Sequence, residues 1–168
     1  MKAGPEGRFE ALYWEHHREL LAFIRRRTET EAEDVVAETF VVAWRRLDDV
    51  PDNARPWLFG VARNVLRNHL RAQNRQTLLK VRIDEQPEED QPDLATAIAD
   101  RHDLAAAWNR LTGAEQEVIS LVAWDELSND EAATVLGCTK STFAVRLFRA
   151  RRRLLHLLNR TTHSRGTT

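Results

Sequence analysis

From Phe9 to Leu158 the apolar residues of this chain recur at three- and four-residue steps, and the recurrence breaks between Asp84 and Asp93. Such steps put side chains on one face of an α-helix, whereas a half-buried strand needs a period of two. No Gly-flanked, β-branched run alternates with period two. The break, "DEQPEEDQPD", holds Pro87 and Pro92 and no apolar period, which reads as a solvated linker. The pattern predicts an all-α protein with two helical blocks on either side of an acidic linker, and the length suits one ordinary domain or two small ones.

In the first block, Phe9, Leu12, Tyr13, His16, Leu20, Phe23 and Ile24 form one stripe. A second helix is expected from Glu31 to Leu47, with Val35, Val36, Phe40, Ala43 and Leu47 on one side. Thr28 with Glu31, or Thr30 with Glu33, has capping-box spacing at its start. The turn-forming "DDVPDNAR" follows, and a third helix should begin near Pro56, because proline suits a first turn. Its stripe is Leu58, Val61, Ala62, Val65, Leu66 and Leu70. Past the linker, Leu94, Ile98 and Leu104 restore a helical period. Further helices should start at Thr112, with Glu115 three residues on, and at Ser128, with Glu131 three residues on.

The segment "SNDEAATVLGCTKSTFAVRLFRARRRL" has the spacing of a helix-turn-helix. Ala133 is small where two helices must approach. Gly137 can take the positive φ that turns the chain, and Phe143 returns to the core. In such a unit the N-terminal turn of the second helix enters the major groove of DNA. Thr139, Lys140, Ser141 and Thr142 would form that turn, with Arg146 and Arg149 following on nearly the same face. Arg151, Arg152 and Arg153 can reach phosphates.

A formal charge of -1 conceals how the ions are arranged. Residues 1–80 carry 14 Lys/Arg against 12 Asp/Glu, residues 81–107 carry 2 against 8, and residues 108–168 carry 9 against 6. Two mildly basic blocks flank an acidic segment, so the cations gather where DNA would lie. The single cysteine, Cys138, precludes an internal disulfide and reads as a small packed residue. No apolar run approaches the roughly 20 residues that span a bilayer, and no signal-peptide pattern opens the chain. A cytoplasmic protein without membrane insertion is expected. His16 and His17 diverge on a helix and lack further ligands, so no metal site is expected, and no cofactor motif is present. The absence of a nucleophile motif argues against an enzyme.

Taken together, "AEDVVAETFVVAWRRL", "RPWLFGVARNVLRNHLRAQNR" and "LTGAEQEVISLVAWDELSNDEAATVLGCTKSTFAVRLFRARRRL" resemble regions 2.2, 2.3–2.4 and 4 of bacterial RNA polymerase sigma factors of the extracytoplasmic-function (ECF) group. The resemblance covers about residues 9–158. It implies a sigma-2-like domain over 1–80, an acidic linker over 81–103, a sigma-4-like helix-turn-helix domain over 104–160 and a polar tail over 161–168. It further implies binding to core RNA polymerase, through the β′ clamp helices and the β flap, and recognition of promoter DNA near -35 and -10.

By the same resemblance, Asp34 and Glu38 contact the β′ clamp helices. Arg63, Asn64, Arg67, Asn68 and Arg71, with Asp52, Asn53 and Arg55 of the preceding loop, contact the -10 element. Thr139, Lys140, Ser141, Thr142, Arg146 and Arg149 read the -35 element. Ala37, Ala144 and Val145 stand where many relatives carry polar or charged residues. Trp57 could stack on a base, but its place beside Leu58 and Val61 favours core packing. Factors of this group are often held inactive by an anti-sigma protein, and no residue pattern here identifies one. The rival reading is a stand-alone helix-turn-helix regulator, which should dimerise on a palindromic site without polymerase.

Overall fold

A computed structural model of the chain describes residues 4–73, 79–83 and 94–165. The acidic stretch assigned to the linker, 84–93, lies outside the described residues. The described residues are helical, with no strand among them. The N-terminal unit holds α1 (Pro5–Arg25), α2 (Ala32–Arg45), a 3-10 turn (Leu47–Asp49) and α3 (Ala54–Ala72). The C-terminal unit holds α4 (Leu94–Asn109), α5 (Gly113–Ala123), α6 (Asn129–Leu136) and α7 (Lys140–Arg165). All-α architecture follows from the stripes, because each helix must bury its apolar face against another.

The N-terminal unit is a three-helix packing in which α1, α2 and α3 contact one another. The expected stripes supply its interior, with Leu20, Phe23, Ile24, Val35, Leu58 and Ala62 fully excluded from solvent, and Phe59, outside the expected stripe, is equally buried. Phe23 and Phe59 stack with centroids 4.6 Å apart, a pair worth about 0.5–1.5 kcal/mol beyond area burial. Pro56 sits in the first turn of α3, where its missing N–H leaves no helix bond unmade. Trp57 packs against the core with Arg46 over its ring, in keeping with a structural role. The expected capping box at the start of α2 does not form. Glu31 caps that helix at φ 67° without a side-chain bond. The helix starts at Ala32, so neither Thr28 nor Thr30 stands at the N-cap; the Thr28 hydroxyl donates to Thr30 O, and Glu33 pairs with Arg25 at 2.5 Å.

In the C-terminal unit α7 packs against α4, α5 and α6. Both expected capping boxes form, at Thr112/Glu115 and Ser128/Glu131, each with reciprocal backbone bonds. The α4 helix is present, but its expected stripe is not buried: Ile98 and Leu104 are exposed, and Ala107 and Trp108 face inward. The α7 helix runs through Arg165, so residues 161–165 of the expected polar tail are helical.

The linker assigned to 81–103 differs at both ends. Residues 94–103 belong to α4, and Val81 is buried. Val81 N–H donates to Gln116 Oε1 at 3.0 Å, and Trp108 Nε1 donates to Val81 O at 2.6 Å. Next door, Arg82 N–H donates to Arg26 O at 2.9 Å. Two adjacent residues thus tie the segment to the C-terminal unit and to the N-terminal unit. The units also touch directly, because α3 packs along α6. Gly60 makes that approach close: a Cβ there would lie 3.8 Å from Val135 Cα. The buried apolar residues of both units form one cluster.

Candidate nucleic-acid and polymerase interfaces

The helix-turn-helix forms as expected. Ser128 caps α6, Ala133 is buried at its packing face, and Gly137 ends it at φ 65°. Gly137 N–H donates to Thr134 O and Cys138 N–H donates to Ala133 O, which satisfies the last carbonyls of the helix. Phe143 is fully buried, anchoring α7. Thr139 then caps α7, its Oγ1 accepting from Thr142 N–H at 3.2 Å. Thr139, Lys140, Ser141 and Thr142 are all exposed on this first turn. Lys140 reaches back to Asp130 at 2.8 Å. Arg146 and Arg149 line a cavity of about 310 Å³ with Arg63, Glu117, Val118 and Leu136, where the two units meet.

The face assigned to the -10 element is divided. Asn64 and Arg71 are exposed, Arg67 is half-buried, and Asp52 is exposed in the loop before α3. Asn53, Arg55 and Arg63 are turned to groups of the C-terminal unit. Arg63 makes a bidentate pair with Glu117, Nε at 2.6 Å and Nη2 at 3.0 Å. Arg55 donates to Glu19 at 2.6 Å and to the carbonyls of Asp125 and Glu126. Asn53 Nδ2 donates to Glu131 Oε1 at 3.2 Å. The Ser128 N–H holds the Glu131 carboxyl below its ordinary pKa, with Asn53 adding to the effect.

Behind these pairs lies a buried ionic centre. Asp125 accepts from Arg26 on one oxygen and from Arg27 on the other, the second at 2.9 Å. The side chains of Asp125 and Arg27 are 0% exposed. Arg27 further donates to Ser120 Oγ at 3.0 Å and Phe23 O at 2.8 Å, and its guanidinium lies 3.7 Å from the Phe23 ring centre. Burial pushes the Arg27 pKa below its ordinary value, and the Asp125 and Glu117 carboxylates oppose that shift. Glu117, Ser120 and Asp125 were missed in the sequence. The available signal was position: Glu117 lies four residues before Leu121, on the core side of α5 rather than its wet side.

The α2 face assigned to polymerase carries Asp34 and Glu38, both exposed, beside exposed Val41 and Trp44. Glu38 is held from α3 by His69 Nε2 at 2.6 Å, and Glu31 lies 3.5 Å from Nδ1 of the same ring. The Glu38 hydrogen bond raises the His69 pKa.

The Sigma-70 region 2 family model matches residues 12–76, and the Sigma-70 region 4 model matches residues 101–154. Over 150 residues the chain is 36% identical to the ECF RNA polymerase sigma factor SigL of Mycobacterium tuberculosis, covering 86% of this chain and 85% of that one. The chain belongs to the ECF group of the sigma-70 family. The RNA polymerase sigma factor NccH of Alcaligenes xylosoxydans is 35% identical over 77% of this chain and 74% of its own. A solved structure of CnrH with the cytosolic domain of CnrY superposes with TM-score 0.61 at 31% identity, covering 90% and 87% of the two chains. The sigma factor RpoE bound to the anti-sigma factor NepR, from Bartonella quintana, gives 0.65 at 27% identity, covering 90% and 96%. As an ECF sigma factor, this chain binds core RNA polymerase and promoter DNA and directs promoter-specific initiation of transcription. Among the described residues no helix is long and apolar enough to cross a membrane.

Proposed function

We propose that this sigma factor divides its work among four faces. The first turn of α7, Thr139 to Thr142, with Arg146 and Arg149, reads the -35 element in the major groove. Asp52, Asn53, Arg55, Arg63, Asn64, Arg67 and Arg71 read the -10 element. Asp34 and Glu38 dock on the β′ clamp helices, with Val41 and Trp44 as apolar contacts. Exposed Val145, Phe148 and Leu155 on α7 supply an apolar face for the β flap. The observation that carries this reading is the helix-turn-helix geometry, with Gly137 at φ 65° and the first turn of α7 exposed beyond it.

The chain acts in the cytoplasm as a regulator and not as an enzyme. The unit of α1 to α3 and the unit of α4 to α7 serve as its sigma-2 and sigma-4 domains. The solved relative bound to the anti-sigma factor NepR supports an anti-sigma partner here. Transcription with purified bacterial core polymerase and a pool of promoter fragments tests the reading. Transcripts dependent on the protein should come from fragments sharing two spaced elements. Arg149→Ala should reduce transcription from promoters that depend on the -35 element by about 10-fold, the scale of one guanidinium-to-base contact, and leave core binding unchanged. Polymerase-independent binding to a palindrome, without transcripts, would instead favour the stand-alone regulator.

A further inference from the structure

We propose that the His69 ring competes with polymerase for Glu38, so that docking on the clamp helices tightens as the ring gives up its proton. This rests on the assignment of Glu38 to the polymerase face made above. His69 stands in the last turn of α3, which packs on α2. Glu31 caps α2, and Glu38 lies about two turns further on. The ring reaches both: Nε2 is 2.6 Å from Glu38 Oε2, and Nδ1 is 3.5 Å from Glu31 Oε2. A neutral imidazole donates from one nitrogen and turns a lone pair to whatever faces the other. Only the imidazolium presents an N–H to both carboxylates, so the arrangement selects the charged ring. The last turn of a helix favours a cation as well. Accordingly the Glu38 hydrogen bond, with Glu31 adding to it, raises the His69 pKa against the effect of burial.

The two acids differ in what else holds them. Glu31 sits at φ 67°, backbone that side chains rarely adopt, and Gln73 Nε2 also donates to its carboxylate. Glu38 is half-exposed, and among the described residues the ring is its one partner. Among those residues no ion pair or hydrogen bond links the ring to α1 or α6, the other helices packed on α3. Losing the proton therefore leaves both carboxylates uncompensated, and a cation of the polymerase meets a Glu38 that no charged ring holds. Asp34, one turn earlier, is exposed and has no ion pair among the described residues, so its contribution does not follow the ring's charge. The proton that ties α3 to α2 thus weakens docking, and one titration moves fold stability and polymerase affinity in opposite directions.

The test is the affinity of the full chain for purified core polymerase between about pH 6 and about pH 8, the range in which histidine changes charge. Wild type is compared with His69→Gln, which keeps a donor without the charge, and with His69→Lys, which keeps the charge throughout. Taking the ratio to His69→Gln at each pH removes titrations of the polymerase itself. Wild type should bind about threefold more weakly than His69→Gln at the acid end, the scale of one exposed ion pair, and converge with it at the alkaline end. His69→Lys should stay weak at every pH. A wild-type to His69→Gln ratio that is flat across the range overturns the proposal. Should His69→Gln not fold, Glu38→Gln takes its place: wild type should gain about threefold on it as pH rises, and a constant ratio overturns the proposal. Glu38→Gln that binds core like wild type at every pH sinks the Glu38 assignment and this inference with it. A Glu38-dependent affinity with a flat His69→Gln ratio sinks the inference alone.

Discussion

Asp125→Ala should open this protein without unfolding it. Among the described residues the Asp125 carboxylate is the one acid bonded to Arg27, and both side chains are 0% exposed. Its loss leaves Arg27 with only Ser120 Oγ, Phe23 O and the Phe23 ring as partners. Breaking a buried ion pair from one side costs about 3–5 kcal/mol, because the remaining charge stays desolvated. Here the chain has an escape: Arg27 belongs to the N-terminal unit and Asp125 to the C-terminal unit, so parting the units rehydrates the cation. The cost therefore shifts the closed–open balance by about two to four powers of ten, up to the free energy that held the units together. Small-angle scattering should show the radius of gyration rising above about 15 Å, and far-ultraviolet circular dichroism should show helix content unchanged. Arg27→Met with Asp125→Leu, which removes both charges, should restore compactness. A single variant that stays compact, with stability within about 0.5 kcal/mol of wild type, would refute the reasoning. So would a double variant as open as the single one.

Gln116→Leu strands the Val81 N–H and the Trp108 carbonyl, both bonded to the Gln116 amide, and should cost about 1–3 kcal/mol in urea unfolding. Gly137→Ala forces a Cβ into the left-handed region and should cost about 1–2 kcal/mol, while Gly137→Asn should cost less; equal losses would mean that φ is not the cause. His69 donates to the Glu38 carboxylate, which with Glu31 favours the protonated ring, so its folded pKa lies above its unfolded value of about 6.5. Its stabilising bond is complete below that value and is lost as pH rises through the folded pKa. Wild-type stability should therefore fall relative to His69→Gln as pH climbs past neutrality; parallel curves would show that the bond contributes nothing.

The helices were legible because their causes are local. The Thr112/Glu115 and Ser128/Glu131 boxes need only three residues of separation, and Gly137 needs only its own missing Cβ. Where the local signal was ambiguous it misled. Thr28, Thr30, Glu31 and Glu33 allowed two overlapping boxes, and the chain entered the helix at Glu31, past both threonines. Leu104 completed a stripe on paper, yet α4 turned Ala107 and Trp108 inward, where the Trp108 indole donates to the Val81 carbonyl, 27 positions away.

By itself the sequence determined two helical blocks and a helix-turn-helix, because periodicity, caps and motif spacing are properties of short segments, and its resemblance to known sigma factors supplied the family. Only the tertiary structure decided that Arg63 faces a carboxylate 54 positions away, and that Arg27 faces one 98 positions away. A polar residue on a helix face reads as solvated until another element arrives to cover it. Whether one arrives depends on how whole faces pack, as α3 does on α6 across Gly60. The arginines assigned to DNA are the same arginines that close the protein, because a carboxylate and a phosphate satisfy the same guanidinium fork.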